Sequence, residues 1–198
     1  MVMNGAGFAI FLNGSYGVGK SSALEHLADR FAAAELPFSL FDVDWFHRSW
    51  PPAADDPRNV LVEAENMRAV WANYARAGAR TPIVAGVVET AGDLERYERV
   101  FGMPLRLVLL TASDEVAERR LRGRYDADRA AALAWHLDDR ARLAAALEQA
   151  PEPELRIDTD GRSPAEVAAI VFDRFAAAPR AAGGSRGAAV ADSLRPTA

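Results

Sequence analysis

The sequence contains no cysteine and only one lysine, Lys20, among its 23 lysine and arginine residues. The absence of cysteine excludes disulfide bonds, thiolate nucleophiles and cysteine-ligated zinc sites. No apolar run approaches the roughly 20 residues that a membrane-spanning helix needs. Residues 1–10 lack the basic start and the cleavage site of a signal peptide. We therefore expect a cytoplasmic protein without a membrane partner.

Basic residues are also fewer than acidic ones, with 23 Lys and Arg against 28 Asp and Glu. The formal net charge is -5 at pH 7, which argues against a nucleic-acid partner because the phosphate backbone attracts basic surfaces. Half of the 198 residues are hydrophobic (50%) and 26% are charged, a balance that allows a packed core and excludes disorder throughout. After residue 178 the chain is rich in Ala, Gly, Ser and Arg. We expect one domain over residues 1–178 and a disordered tail over residues 179–198.

Short apolar segments alternate with segments of helical spacing along the chain. Strands are predicted at residues 8–12, 38–41, 83–88, 105–110 and 155–157. Helices are predicted at residues 20–34, 58–77, 93–101, 113–124, 129–149 and 163–178. This alternation predicts an α/β fold in which helices cover both faces of a parallel sheet. Because such sheets bind ligands beyond the carboxyl ends of their strands, the positions to search are 14–22, 42–45, 89, 111 and 158–161.

Residues 14–21, Gly-Ser-Tyr-Gly-Val-Gly-Lys-Ser, match the phosphate-loop pattern G-x4-G-K-[ST] at every position. They follow a predicted buried strand and precede a predicted helix, where that pattern must lie. The glycines allow successive N–H groups to face an anion, and the helix N-terminus adds partial positive charge. Lys20 can reach the terminal phosphates, and Ser21 Oγ can join the Mg²⁺ shell. The predicted nucleotide-binding residues of this segment are Gly14, Ser15, Tyr16, Gly17, Val18, Gly19, Lys20, Ser21 and Ser22.

Two further absences narrow the choice among phosphate-loop proteins. The guanine-reading motif Asn-Lys-x-Asp cannot occur, because the single lysine lies in the loop. The fourth predicted strand ends in Leu-Thr-Ala, without the acidic residues that motor ATPases and helicases carry there. Acids instead follow the second and third strands, at Asp42-Val43-Asp44 and Glu89. If the second strand continues, Asp42 and Asp44 point the same way and both face the cleft; alternatively, one of them caps a helix or pairs with Arg48.

Four motifs in a fixed order carry a resemblance to a known family. They are the phosphate loop, Asp42-Val43-Asp44, Arg120-Leu121-Arg122-Gly123-Arg124 and Ile157-Asp158-Thr159. Over about residues 8–178 the chain resembles the small-molecule and nucleoside-type P-loop kinases, which include shikimate, gluconate and adenylylsulfate kinases and chloramphenicol phosphotransferase. It is similar above all to bacterial ATP-binding kinase-like proteins, some of them linked to antibiotic resistance. The resemblance implies a three-layer α/β/α P-loop fold with a five-stranded parallel sheet and a helical lid at about residues 119–140.

The resemblance also implies roles for individual residues. Asp42 would hold a Mg²⁺-bound water or act as the base, and Ser21 and Asp42 would form the metal site. Arg120 and Arg124 share one helix face and would stabilise charge on the transferred group, although a solvated arginine cluster is the competing interpretation. Asp158 and Gly161 would lie in the loop near the adenine. The implied catalytic residues are Lys20, Asp42, Arg120 and Arg124. The implied acceptor-binding residues are Asp44, Trp45, His47 and Glu89.

Two functions remain open from these residues. The first is an ATP- and Mg²⁺-dependent phosphotransferase that acts on a hydroxyl group of a small molecule, such as a nucleoside, a sugar-like metabolite or an antibiotic. Phosphoryl transfer needs alignment and charge neutralisation more than covalent chemistry, and the phosphate loop with Asp42 offers both. The second is a nucleotide-binding resistance or regulatory protein that sequesters a ligand without transferring phosphate. A monomer and a homodimer are both compatible with the sequence.

Overall fold

The computed structural model describes residues 7–176, so the predicted tail at 179–198 lies outside the described residues. The strands are β1 (Ala9–Asn13), β2 (Phe38–Asp42), β3 (Thr81–Ala85), β4 (Leu105–Thr111) and β5 (Leu155–Asp158). They form one parallel sheet in the order β2-β3-β1-β4-β5. The helices are α1 (Lys20–Ala33), α2 (Val60–Arg76), α3 (Ala91–Phe101), α4 (Asp114–Arg124), α5 (Ala130–Leu147) and α6 (Pro164–Phe175). None of these described helices has both the length and the apolar character needed to cross a membrane.

Each face of the sheet has its own apolar core. Ile10 of β1 packs into the core that contains Leu27 of α1 and residues of α6. The next residue, Phe11, packs into the opposite core with Met67 of α2 and Phe101 of α3. Neighbouring residues of a strand point to opposite faces, so a strand covered on both sides is apolar at every position. The predicted α/β fold with a five-stranded parallel sheet is confirmed.

Side-chain caps fix where several helices begin. Ser113 accepts the N–H of Val116 at the start of α4, and Ser163 forms a capping box with Glu166 at the start of α6. Helix α2 begins at Val60 rather than at residue 58. The reason is the buried carboxylate of Asp56, which accepts the backbone N–H groups of Val60, Leu61 and Val62.

The third strand begins two residues earlier than predicted, at Thr81, and ends three residues earlier, at Ala85 instead of Val88. Beyond the end of β3, the side chain of Asn13 takes the place of the backbone hydrogen bonds between the strands. Its Nδ2 donates to the carbonyl oxygen of Val88 (2.9 Å), and its Oδ1 accepts the N–H of Val88 (3.0 Å). A buried side-chain amide therefore pairs both backbone groups of Val88, and Glu89 does not directly follow a strand.

The second strand ends at Asp42, and residues Val43–Trp45 form a 3₁₀ turn. The strand therefore does not continue through Asp44. The expectation that Asp42 and Asp44 point the same way required a continuing strand, and that condition is not met. Asp42 Oδ1 accepts the N–H of Asp44 (3.2 Å), so Asp42 caps the turn. The alternative interpretation, in which one of the two acids caps a helix, is therefore correct for Asp42.

Gly86, just past β3, has no room for a side chain. A Cβ there would lie 2.7 Å from Val43 Cγ2 and 2.9 Å from Phe11 Cζ, and both of these neighbours are buried. We expect Gly86→Ala to lower the free energy of unfolding by about 1–3 kcal/mol, because overpacking forces a shift of well-packed neighbours. Urea denaturation followed by circular dichroism measures the loss.

Gly92→Ala is the matched control, since the nearest atom to a Cβ at Gly92 is 3.7 Å away. This residue lies in the first turn of α3, where alanine favours the helix. The control should be as stable as the parent protein or slightly more stable. Equal stability of Gly86→Ala and the parent would contradict the packing argument.

Candidate active site

The phosphate loop, residues 14–21, joins β1 to α1 at the carboxyl edge of the sheet. Gly14 and Gly17 have positive φ angles of 153° and 80°. A Cβ at Gly14 would lie 2.6 Å from the carbonyl oxygen of Leu110, and one at Gly17 would lie 2.6 Å from that of Ala117. The loop therefore sits directly on the backbones of β4 and α4, and only glycine permits that approach.

The ammonium group of Lys20 lies over its own loop. Its Nζ donates to the carbonyl oxygens of Gly14 (2.8 Å) and Ser15 (3.0 Å). Burial lowers the pKa of Lys20 to about 8, and the charge of Arg124 acts in the same direction, while nearby carboxylates including Asp42 oppose the shift. An anion placed in the loop would favour the charged form and raise this pKa.

Ser21 and Asp42 meet across the cleft. Ser21 Oγ, at the start of α1, donates to Asp42 Oδ2 at 2.8 Å. The two residues come from elements that are not neighbours in the sheet, because β3 lies between β1 and β2. A hydroxyl and a carboxylate are oxygen donors of the kind that Mg²⁺ prefers, with water and phosphate oxygens completing the shell. This pair therefore fits the predicted metal site.

The two predicted site arginines of α4, Arg120 and Arg124, have different contacts. Arg120 donates to the side-chain and carbonyl oxygens of Thr159, both at 2.9 Å, and makes longer contacts with the carbonyl oxygen of Gly17 (3.4 Å). It thus ties the β5–α6 loop to the phosphate loop. Arg124 is exposed, lines the cleft, and acts electrostatically on Lys20. Arg124 is therefore the more available of the two to a ligand in the cleft.

Helix α5 packs directly on the phosphate loop. Ser15 Oγ donates to the carbonyl oxygen of Arg140 at 2.9 Å. The ring of Tyr16 meets Trp135 edge-on at 5.5 Å between ring centroids and His136 at 4.7 Å. The region predicted as a lid is thus in contact with the loop that it would cover.

A buried carboxylate organises the side of the cleft that is built by α2 and α3. Glu63 Oε2 lies 2.9 Å from His47 Nδ1, and Glu63 Oε1 accepts the hydroxyl hydrogen of Tyr97 at 2.7 Å. The hydrogen bond to Glu63 raises the pKa of His47 in spite of partial burial, and burial raises the pKa of Tyr97. His47 is therefore held toward its charged form by a partner that solvent does not reach.

These residues line one cleft of about 960 Å³. The predicted site residues that line it are Ser15, Tyr16, Gly17, Gly19, Lys20, Ser21, Ser22, Asp42, Asp44, His47, Glu89, Arg120 and Arg124. Five predicted site residues are not among the lining residues: Gly14, Val18, Trp45, Asp158 and Gly161.

The residues outside the lining have other contacts. The side chain of Trp45 is 69% exposed, and the guanidinium of Arg48 lies 4.5 Å from the centre of its ring. In the loop after β5, Thr159 touches Arg120, whereas the carboxylate of Asp158 accepts the N–H of Asp160. The structure thus brings the phosphate loop, Asp42, Asp44 and His47 together and leaves Trp45 apart.

Sequence reasoning did not select Glu63 or Tyr97 for the site. Charged residues on helices are usually solvated, yet Glu63 is only 6% exposed. The signal was the spacing of α2, since Glu63 stands four residues before Met67 and eight before Trp71, on the buried stripe of the helix. A carboxylate on an apolar stripe needs buried partners, and His47 and Tyr97 supply them.

Comparison with known proteins gives structural likeness alone. No protein-family model and no curated protein matches the chain. Among solved structures, a sugar kinase from Janibacter sp. HTCC2649 is 18% identical with a TM-score of 0.58, and the match covers 87% of this chain and 95% of that chain. The APS kinase of Mycobacterium tuberculosis in complex with AMPPNP and APS is 20% identical with a TM-score of 0.59, covering 85% and 97%.

A tunicamycin resistance protein from Deinococcus radiodurans is 20% identical with a TM-score of 0.53, and the match covers 84% of this chain and 94% of that chain. The three likenesses extend over almost the full length of the solved chains. They confirm that the three-layer fold with its parallel sheet is the P-loop kinase fold that the resemblance implied. At these identities the likeness establishes the fold and not the reaction.

The contact between His47 and Glu63 makes a prediction about titration. Glu63→Gln should lower the pKa of His47 toward the ordinary histidine value of about 6.5, because the negative partner is lost. NMR titration of the imidazole signals, assigned with a His47→Gln variant, measures the shift.

The raised pKa also sets a pH window for stability. The contact between His47 and Glu63 contributes fully to the free energy of unfolding below the unfolded-state pKa of histidine, and this contribution disappears as the pH rises through the higher folded-state pKa.

The exposed substitution Asp29→Asn on α1 is the control for the titration and should leave the pKa of His47 unchanged. An unaltered His47 pKa in Glu63→Gln would refute the assignment of its cause.

Proposed function

We propose that this chain, which has the fold of P-loop kinases, transfers the γ-phosphoryl group of ATP to a hydroxyl group of a small molecule in the presence of Mg²⁺. The observation that carries the proposal is the 2.8 Å hydrogen bond between Ser21 and Asp42. It sets an acidic residue against the first turn of the phosphate-loop helix, inside a cleft large enough for a second ligand. Transfer needs a phosphate cradle and an aligned acceptor in one enclosed space.

At the donor end, three positive groups surround the space above the loop. Lys20 lies within the loop, and Arg120 and Arg124 approach it from α4. Backbone N–H groups of the loop and the start of α1 complete a site for the terminal phosphates. We assign phosphate binding to Lys20 and the loop, charge stabilisation during transfer to Arg124, and the positioning of the loop to Arg120.

Ser21 and Asp42 are the residues that would hold Mg²⁺. The bound cation would supply neutralisation of the phosphate charge. Asp42 Oδ1 is oriented by the N–H of Asp44, which fixes the carboxylate toward Ser21. Asp44 is exposed and lines the same cleft. We assign to Asp44 the hydrogen bond that orients the acceptor hydroxyl, and to Asp42 the receipt of the proton that this hydroxyl loses on transfer.

The contact between α5 and the phosphate loop supports a lid at about residues 119–140. A lid that closes over the cleft excludes water, so that ATP is not simply hydrolysed. Trp135 and His136 of α5 already line the cleft beside Tyr16. The solved neighbours are in keeping with this proposal, since one is described as a sugar kinase and another is bound to AMPPNP and APS.

The exchange of Asp42 for asparagine tests the proposal. Asp42→Asn should lower phosphoryl transfer by at least about a hundredfold, because a charge at the reacting centre is lost. ATP binding should be largely retained. Lys20→Ala should weaken both. Transfer is measured with γ-labelled ATP against a broad library of hydroxyl compounds, and binding is measured by isothermal titration calorimetry.

The exposed Asp29→Asn variant on α1 is the matched control and should behave like the parent protein. Tight ATP binding without transfer to any member of the library would favour the sequestering or regulatory alternative. ATP consumption that no acceptor changes would also contradict the proposed reaction. Absence of ATP binding in a folded protein would remove the premise altogether.

The low pKa of Lys20 predicts proton uptake when the nucleotide binds. At a pH close to 8 about half of the free protein carries a neutral Lys20 amine, and the bound polyanion should restore its charge. The uptake is measured as the dependence of the calorimetric enthalpy on the ionisation enthalpy of the buffer. Lys20→Ala should abolish this dependence, and an equal dependence in both proteins would show that another group titrates.

A further inference from the structure

The cleft has a second set of positive groups, distinct from those above the phosphate loop. Arg48 follows β2, Arg58 precedes α2, and Arg96 lies on α3; all three line the cleft with His47. We call His47, Arg48, Arg58 and Arg96 the acceptor wall. None of them belongs to α1, which carries Lys20, or to α4, which carries Arg120 and Arg124. The acceptor wall is therefore a second positively charged region of the same cleft.

Three carboxylates near the acceptor wall are already engaged, whereas Asp44 is exposed and contributes to the raised pKa of His47. Glu63 is shared by His47 and Tyr97. Asp93 pairs with Arg96 at 2.7 Å and caps the start of α3. Glu89 pairs with Arg142 of α5 at 2.9 Å. These acids fix the positions of the wall residues or of α5 and do not neutralise Arg48 or Arg58.

Arg48 and Arg58 have no carboxylate within ion-pair distance anywhere in residues 7–176. Arg48 is stacked over the ring of Trp45, an arrangement that leaves the edge of the guanidinium free to donate. Arg96 is less mobile, since its side chain is 21% exposed and one terminal nitrogen is held by Asp93. Its Nε is buried without a partner in the described residues.

The segment that bears Arg48 and Arg58 is held in place. Asn59 Nδ2 donates to the carbonyl oxygens of His47 (2.8 Å) and Ser49 (3.0 Å), and the buried Asp56 carboxylate caps α2 just beyond. The backbone at both arginines is therefore fixed before any ligand binds. A site that is organised in advance loses less entropy on binding.

We propose that the acceptor wall binds an oxyanion of the acceptor, so that the phosphorylated substrate is a hydroxy acid or a hydroxylated phosphate ester rather than a neutral alcohol. This inference rests on the proposed function. Guanidinium groups match carboxylate and phosphate oxygens with paired N–H donors. Asp42 and Asp44 both act on the charge of Lys20 and repel an anionic group of the acceptor beside the phosphate loop, so the charged group points to the wall and the hydroxyl group points to the phosphate loop.

Acceptors that differ only in the anionic group test this inference. Gluconate is compared with glucose, glycerate with glycerol, and uridine monophosphate with uridine, each with ATP and Mg²⁺ and the full chain. We expect the anionic member of at least one pair to have a kcat/KM that is about tenfold or more above its neutral partner, the factor typical of charge-assisted hydrogen bonds. The pairs also separate recognition of carboxylate from recognition of phosphate.

A double variant links the preference to the wall. Arg48→Gln/Arg58→Gln removes two exposed charges and should raise KM for the anionic member about tenfold while changing the neutral member much less. The control is Arg68→Gln, since Arg68 is exposed on α2 and does not line the cleft. Circular dichroism confirms that each variant is folded, and Arg96→Gln provides an independent third removal of charge.

The outcomes distinguish the inference from the reaction on which it rests. A preference for the anionic member that falls in the double variant and not in Arg68→Gln supports the inference. Preference for neutral alcohols, or an anionic preference that the double variant leaves unchanged, overturns it while phosphoryl transfer stands. ATP turnover without transfer to any of these acceptors or to the wider library contradicts the proposed function, and the inference falls with it.

Discussion

The hydrogen bond from Ser21 to Asp42 is the contact on which the arrangement of the cleft depends. The two side chains come from the start of α1 and the end of β2, and β3 lies between β2 and β1, the strand that leads into α1. Gly86, just past β3, lines the same cleft and has no room for a side chain, because Val43 and Phe11 are packed where a Cβ would stand. The side-chain amide of Asn13 then holds both backbone groups of Val88, three residues after the end of β3.

The sequence was sufficient for the parts of the molecule that local rules determine. A phosphate loop must have glycine where the backbone approaches a strand, and the approach of Gly14 and Gly17 to Leu110 and Ala117 shows that requirement directly. The strands were recognisable from short apolar runs, most clearly in β1, where residues 9–12 are apolar and buried on both faces. Serine caps at Ser113 and Ser163 were recognisable from side-chain chemistry alone.

Features that depend on long-range contacts were not predictable in this way. The end of β3 is set by Asn13, which is 75 residues away in the chain. The 3₁₀ turn after Asp42 reverses an argument that assumed a continuing strand. Glu63 was not selected for the site because charged residues are usually solvated, although the spacing of α2 places it on the buried stripe of the helix. Its partners could not be known before the fold brought His47 and Tyr97 to it.

Lys20 carries the only side-chain amine of the whole sequence. Its depressed pKa of about 8 leaves a much larger neutral fraction than an ordinary lysine has, and the neutral amine is the form that attacks electrophiles. Guanidinium groups, which stand at all the other basic non-histidine positions, do not react in that form. Reagents and enzymes that acylate lysine therefore have a single side-chain amine to modify in this protein, and one acyl group placed there removes the positive charge of Lys20 from the phosphate loop.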